Sequence, residues 1–262
     1  MGPPALSFCR YEVDGPLLTL TLDRPEVLNA LHREAHFEVS ACLDRYRDDP
    51  DLRVCIVTGA GDRAFCVGTD LKALAATGDH TKPDTGFAGL THRFDLFKPV
   101  IAAVNGLCLG GGVEIVAACD IAIAADTSVF GLPEPRVGLA ALGGGVLQRL
   151  PRQMPMKDAM WLVLTGEPVD AARAAAMRLV NEVVPRDALL PRARDVAGLI
   201  LRCAPLAVQA SKQVVQQSAR YPDLAVAMRA SYERAEAMLA SDDAIEGPAA
   251  FAQKRDPVWR GR

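Results

Sequence analysis

A chain of 262 residues, half of them hydrophobic and 23% charged, can bury one large core, which excludes a largely disordered protein. The formal net charge is −3 with no long basic block, which argues against a broad electrostatic face for nucleic acid. No apolar run reaches membrane-spanning length, because those at 100–104 and 113–118 are interrupted by glycines, Glu114 and Asp120.

In chain order, LLTLTL (17–22) alternates Leu with Thr, as a half-buried strand does. Ala35, Val39, Leu43 and Tyr46 then recur at helical spacing. His32 and His36 stand four apart, a spacing that can hold a metal on one helix face. No glutamate follows His32 directly and no third ligand is implied, so the pair reads as a solvated face and no metal is expected. VCIVTG (54–59) is a buried strand. TGAGDRA (58–64) matches the G-x-G-x-x-A dinucleotide pattern, but a glycine-broken apolar segment follows where an amphipathic helix would be required, so it reads as a strand-to-loop turn. The Gly-, Pro- and Asp-rich stretch 77–89 reads as a mobile surface loop over a site. PVIAAVNG (99–106) is a second buried strand, GGVEIVAAC (111–119) a buried helix opened by glycines, and IAIAA (121–125) a further strand. This rhythm predicts an α/β core of sheets packed against helices.

Beyond about Val184 the residues Ala, Gln, Arg and Leu recur at helical period, with Pro205 and Pro222 where helices begin or break, which predicts a helical C-terminal region. Leu224, Met228 and Met238 fit buried faces of such helices, either between subunits or within one chain. The N-terminus carries no charged segment followed by an apolar stretch and a cleavage site, and the seven cysteines are scattered without a CxxC pair. Both features lead us to expect a cytoplasmic protein with reduced thiols.

Three places invite chemistry. Gly110, Gly111 and Gly112 lie between a buried strand and a buried helix, where unpaired helix N–H groups could hold a developing oxyanion, or where a tight turn simply requires small residues. Glu114 follows on the first turn of an otherwise apolar helix, where a buried carboxylate needs a partner or a role. Glu134 is fixed between Pro133 and Pro135 on a rigid non-helical segment, which suits an acid–base group and equally a surface turn. No G-x-S-x-G elbow is present.

LDRPEVLNAL (22–31), AFCVGTDLKAL (64–74), NGLCLGGGVE (105–114), LPEPRVG (132–138) and EGPAAFAQKRDPVWRG (246–261), in that order, resemble the enoyl-CoA hydratase/isomerase (crotonase) superfamily. The resemblance implies a crotonase-like (ββα)n spiral core with the acyl-CoA site over residues 1–190 and a C-terminal helical oligomerisation region over 191–262. It implies a hydro-lyase of fatty acid metabolism that adds water reversibly across the C2=C3 bond of a 2-enoyl-CoA thioester. No cofactor is implied beyond the CoA of the substrate. The oxyanion N–H groups fall on Thr69, where alanine is commoner, and on Gly111. The catalytic pair falls on Glu114, as base, and Glu134, as protonated donor. CoA contacts fall on Arg24, Val27 and Leu28, and on Cys66, Thr69, Asp70, Leu71 and Lys72. Phe251 and Lys254 match residues that reach CoA from a neighbouring subunit of a homotrimer or dimer of trimers. A Δ3-Δ2 isomerase and a non-catalytic acyl-CoA-binding protein are the alternatives, against which the two glutamates weigh. Segments 86–106 and 241–262 are similar to the carnitinyl-CoA dehydratases, which implies crotonobetainyl-CoA as the ester, although no residue obviously accepts its trimethylammonium group. Ala141 and Leu142 stand where many members carry Pro-Gly, which implies a reshaped acyl pocket.

Overall fold

The computed structural model of the protein describes residues 6–262, so the start of the expected 1–190 unit lies outside the described residues. The strands are β1 (Cys9–Asp14), β2 (Leu17–Leu22), β3 (Val54–Gly59), β4 (Ala64–Cys66), β5 (Val100–Val104), β6 (Leu107–Leu109), β7 (Ile121–Ala125), β8 (Val129–Gly131), β9 (Val169–Asp170) and β10 (Glu182–Val184). They form a six-stranded sheet of order β1-β2-β3-β5-β7-β10 and a four-stranded sheet of order β4-β6-β8-β9. Within the first sheet only β1 and β2 are antiparallel, joined through Gly15 at φ 55°. Within the second, β4, β6 and β8 run parallel and β9 closes the edge antiparallel.

The expected (ββα) repeat is visible in how strands are dealt out. Three successive pairs, β3–β4, β5–β6 and β7–β8, each give their first strand to the larger sheet and their second to the smaller. After the second strand of the first two pairs comes a helix: α2 (Leu71–Thr77) and α3 (Gly111–Ala118). After β8 comes a short 3-10 turn (Glu134–Val137) and then α4 (Val146–Gln153). The ends of β4, β6 and β8 therefore lie side by side, and parallel strands characteristically offer ligand sites at their carboxyl ends.

The larger sheet is covered on both faces. One face belongs to the main core with Leu18, Leu20, Cys55, Val57, Ala102 and Val104; α1 (Arg33–Asp48) contributes Ala35, Val39, Leu43 and Tyr46, as its spacing predicts. The other face carries Val54, Ile56, Ile101, Ala103 and Ile123 against Ala193 and Ala197 of α7 (Leu189–Leu201). This corrects the reading of residues 17–22: all six are buried, because the threonine-bearing face of β2 is covered as well. The expected division at residues 190/191 falls inside α7, whose small residues seat it on that sheet.

The turn at 58–64 is held from outside its own sequence. Asn105 Nδ2 donates to the carbonyls of Gly59 (2.9 Å) and Gly61 (3.1 Å), while Asn29 Nδ2 donates to those of Ala60 (3.0 Å) and Ala64 (2.8 Å). Buried carbonyls of a tight turn need such partners, and their engagement by two asparagines confirms the plain-turn reading of the glycine pattern.

Between the repeat and the C-terminus lie α5 (Met156–Thr165) and α6 (Ala171–Ala176). After α7 come α8 (Pro205–Ser218), α9 (Leu224–Arg229), α10 (Glu233–Leu239) and α11 (Asp242–Ala252), opening with Pro205 at the first turn of α8 as predicted. Leu224 and Met228 are 73% and 78% exposed, so they do not serve this chain's own core, while Met238 is half-buried. All seven cysteines are free thiols: Cys9, Cys42, Cys55, Cys66 and Cys108 are buried, Cys119 is half-buried and Cys203 exposed.

Candidate active site

The three neighbouring strand ends converge on one cavity of about 480 Å³. Val67, Gly68 and Thr69 enter it from the end of β4, Gly110 and Gly111 from the end of β6, and Pro133 and Glu134 from the end of β8. The glycines make this approach feasible. Gly68 has φ +96°, and a Cβ there would stand 3.0 Å from the Gly111 nitrogen. Gly110 has φ +52°, and a Cβ there would stand 2.8 Å from Glu134 Oε1. The missing side chain lets the Gly68 and Gly111 backbones approach this closely and, at Gly110, leaves room for the Glu134 carboxylate.

Leu31 and Thr69 form an isolated parallel bridge, in which the Leu31 N–H donates to Gly68 O (2.8 Å) and the Asp70 N–H donates to Leu31 O (3.0 Å). In such a bridge the N–H of the intervening residue, Thr69, points away from Leu31. Gly111 begins α3, so its N–H has no carbonyl one turn back. Among the described residues neither amide donates to another group.

Beside these amides stand the two carboxylates. Glu114 is buried on the first turn of α3, with Oε1 accepting from the Gly144 N–H at 2.6 Å. Arg149 holds that turn in place by donating to Gly144 O (3.0 Å) and Thr91 O (2.6 Å). Glu134 is half-buried, and its Oε2 is buried without a hydrogen-bond partner among the described residues. Burial pushes both carboxyls above the usual carboxylate range. For Glu114 the Gly144 N–H pulls the other way and the nearness of Glu134 adds to the rise.

The remaining wall combines His36 of α1, not predicted as functional, with the 77–89 stretch that was expected over a site. His36 is buried, and its Nδ1 accepts from the Ala88 N–H at 3.0 Å. This corrects the solvated-face reading: the residue ends under the 77–89 stretch. Ala88 takes φ 51°, unusual for a residue with a side chain, and the His36 bond pins it there. The neighbouring Phe87 meets His36 edge-on at 4.5 Å and lies over Gly111, where an added Cβ would come 2.2 Å from the ring. Residues 86–89 are thus buried and only the earlier part of the stretch is surface loop, contributing Thr77, Asp79, His80, Thr81 and Lys82 to the cavity. The apolar GFAGL (86–90) after a polar run was the available sequence signal. His32, four residues before His36, caps α1 by accepting from the Ala35 N–H.

Burial, together with the charges of Lys82 and His32, pushes the His36 imidazole down from 6.5 to about 3. The unfolded chain therefore binds a proton that the native state refuses between these values. Stability is complete above pH 6.5 and falls as the pH drops toward 3, by up to about 1.4 kcal/mol per pH unit. Urea midpoints at pH 7 and pH 5 are expected to differ less in His36→Gln than in the unaltered protein. An equal pH dependence in both would remove His36 from this account.

Of the residues assigned by resemblance, Thr69, Asp70, Leu71, Gly111, Glu114 and Glu134 line this one cavity. Arg24, Val27, Leu28, Cys66 and Lys72 do not. Arg24 pairs with Asp70 (Nη2 to Oδ2, 3.0 Å), and Asp70 also caps α2 by accepting from the Ala73 N–H at 3.1 Å, which ties the 24–31 segment to the cavity edge. Val27 and Leu28 are half-buried in the preceding turn and Lys72 is exposed on α2. Cys66 is fully buried, its sulfur accepting from the Gly68 N–H at 3.4 Å. Phe251 is 89% exposed and Lys254 follows α11; neither reaches this chain's cavity. Ala141, Leu142 and Gly143 line the cavity opposite Lys82, with Ala141 buried and Leu142 exposed.

Residues 12–262 match the family model described as enoyl-CoA hydratase/isomerase. A carnitinyl-CoA dehydratase of Citrobacter koseri is 45% identical over 98% of this chain and 99% of its own length. One of Escherichia coli is 44% identical over 95% of this chain and 97% of its own. Among solved structures, an enoyl-CoA hydratase from Mycobacterium marinum superposes with a TM-score of 0.91 at 38% identity, covering 97% of this chain and 99% of that one. Another from Mycobacterium tuberculosis gives 0.90 at 36% identity with the same coverage.

Proposed function

Because the chain belongs to the enoyl-CoA hydratase/isomerase family, we propose that it adds water reversibly across the C2=C3 bond of a 2-enoyl-CoA thioester in the cavity at the ends of β4, β6 and β8. The observation that carries this reading is the conjunction of two unengaged amides, on Thr69 and Gly111, with the buried Glu114 carboxyl and the half-buried Glu134 carboxyl, whose Oε2 is buried, beside them. The thioester oxygen accepts from both amides. As water attacks C3, negative charge grows on that oxygen, and donors fixed in advance stabilise it more than they stabilise the ground state. One such donor is worth about 3 to 4 kcal/mol in other enzymes.

Glu114, oriented by the Gly144 N–H, takes the proton from water. Glu134, whose Oε2 has no other partner, carries the proton delivered to C2. Two carboxyls in one cavity titrate as a pair, and their mutual repulsion favours the state with one proton between them. Isomerisation between Δ3 and Δ2 positions needs only one carboxylate, and a mere acyl-CoA binder gains nothing from burying two, so the pair supports hydration. No group beyond the CoA carried by the substrate is required. The reading extends to a cytoplasmic enzyme of fatty acid metabolism. It also extends to a homotrimer or dimer of trimers that covers Leu224 and Met228 and brings Phe251 and Lys254 to a neighbour's CoA; their exposure in the single chain supports this.

The test uses the purified protein with crotonyl-CoA and crotonobetainyl-CoA in 18O-water and, separately, in D2O. The expected products are 3-hydroxyacyl esters carrying 18O at C3 and deuterium at C2. If a panel of 2-enoyl esters of different chain length gives neither hydration nor exchange at C2, the proposal is lost.

A further inference from the structure

One wall of the cavity presents donors without acceptors. A Cβ placed on Gly143 would stand 3.2 Å from Lys82 Nζ and 3.3 Å from Glu114 Oε2, so ammonium and carboxylate face each other across the width of one side-chain carbon. They are nevertheless not within 4 Å of each other, and Lys82 has no ion pair or hydrogen bond among the described residues. Its ammonium stands 5.7 Å above the Phe87 ring. His36 meets the same ring edge-on, 4.5 Å between centroids, and lines the same cavity. Because its Nδ1 accepts from the Ala88 N–H, the proton of the neutral imidazole is on Nε2, which has no partner among the described residues. The carboxylates at the cavity edge, Glu34 and Asp79, are both exposed and both engaged by Arg33, at 3.8 and 3.3 Å.

Resting on the hydratase reading, we propose that the acyl chain taken by this site ends in a carboxylate, one or two carbons beyond C3, held by the Lys82 ammonium and the His36 Nε2–H. An ammonium and a neutral N–H both demand an acceptor, and a half-buried ammonium prefers an anionic one. A quaternary ammonium offers no acceptor and carries the same charge as Lys82. A plain alkyl tail leaves both donors unpaired.

Three esters distinguish the cases: glutaconyl-CoA with a carboxylate tail, crotonyl-CoA with a methyl, and crotonobetainyl-CoA with a trimethylammonium. The expected order of kcat/KM for the unaltered protein places glutaconyl-CoA first. Lys82→Gln is expected to lower the ratio of glutaconyl to crotonyl kcat/KM by about tenfold or more, and Lys82→Arg to retain most of it. The ratio is read because Lys82 also acts on Glu114, and that effect is common to all esters. A ratio unchanged in Lys82→Gln, or a preference of the unaltered protein for crotonobetainyl-CoA, overturns the proposal. Calorimetric binding of glutaryl-CoA against butyryl-CoA, to both proteins, decides independently of turnover. If no ester is hydrated but glutaryl-CoA binds tighter and loses that advantage in Lys82→Gln, the hydratase reading fails and this one stands. If hydration proceeds and the two saturated esters bind alike, the reverse holds.

Discussion

Glu114→Gln is expected to lower kcat for hydration by 10²-fold to 10⁴-fold, and Glu134→Gln by a similar factor, since each removes a proton-transferring group while keeping its shape. The double variant is expected to lose little more than the worse single one, because the two carboxyls act on one water as a unit. The same substitutions are expected to stabilise the fold. Both carboxyls are held above the usual 4.5 by burial, so the native state binds more protons than the unfolded chain as the pH rises past that value. Stability contributed by their protonated forms is complete below pH 4.5 and is lost as the pH rises through their raised native values. Denaturation at pH 8 should therefore show each glutamine variant more stable than its parent, with the gap closing at pH 4. Activity preserved in either variant on the best substrate would end the acid–base assignment. Activity lost together with stability would point to a scaffolding role instead.

Gly112→Ala is expected to be nearly as damaging, for a mechanical reason. A Cβ there would stand 2.1 Å from the Cys66 carbonyl oxygen and 3.4 Å from Cys108 Sγ. The oxygen belongs to the end of β4, so the strand and α3 must separate, at about 1 to 3 kcal/mol as for other overpacked sites. That seam also sets the spacing between Thr69 and Gly111, and a misplacement of about 1 Å can cost 10²-fold in rate. We expect kcat to fall by about that factor in protein that remains folded. Gly198→Ala is the control: an added Cβ in α7 meets nothing within 4 Å, and replacing a helical glycine stabilises by about 0.5 to 1 kcal/mol. If Gly112→Ala leaves turnover intact, the strand–helix seam does not align the amides.

The longer elements were legible in the sequence because each obeys its own period over several residues. The Ala35–Tyr46 spacing, VCIVTG and IAIAA all landed where their patterns placed them. The smaller sheet was not legible: β4, β6 and β8 are three residues each and β9 two, too short for any period to emerge. β4, β6 and β8 exist because three consecutive repeats align them, and β9 returns to close their edge, which is a property of the whole chain. Residues 17–22 misled for the opposite reason. Their alternation is real, but Thr19 and Thr21 on the face it leaves polar are buried in the fold, where Leu17 of the same face joins the cluster that α7, far along the chain, packs on.

In the cavity, the glycine triplet and the proline-flanked glutamate were visible as oddities, residues whose local placement needed a reason. His36 was seen and misread, since helical spacing alone cannot tell a solvated face from one roofed by residues 86–89. Lys82 lies in the stretch expected over a site, but nothing singled out the residue itself. A lysine in a polar loop looks like any other, and only the fold brings it opposite Gly143.

The distribution of thiols makes the molecule chemically addressable at one place. Five cysteines are sealed inside, and burial pushes the Cys66 thiol up to about 12 and the half-buried Cys119 higher still, so neither presents a reactive thiolate near neutrality. Cys203, exposed just after α7 and away from the cavity, is left as the site for a maleimide dye. A fluorophore attached there would report on the seating of α7 against the larger sheet while catalysis proceeds undisturbed.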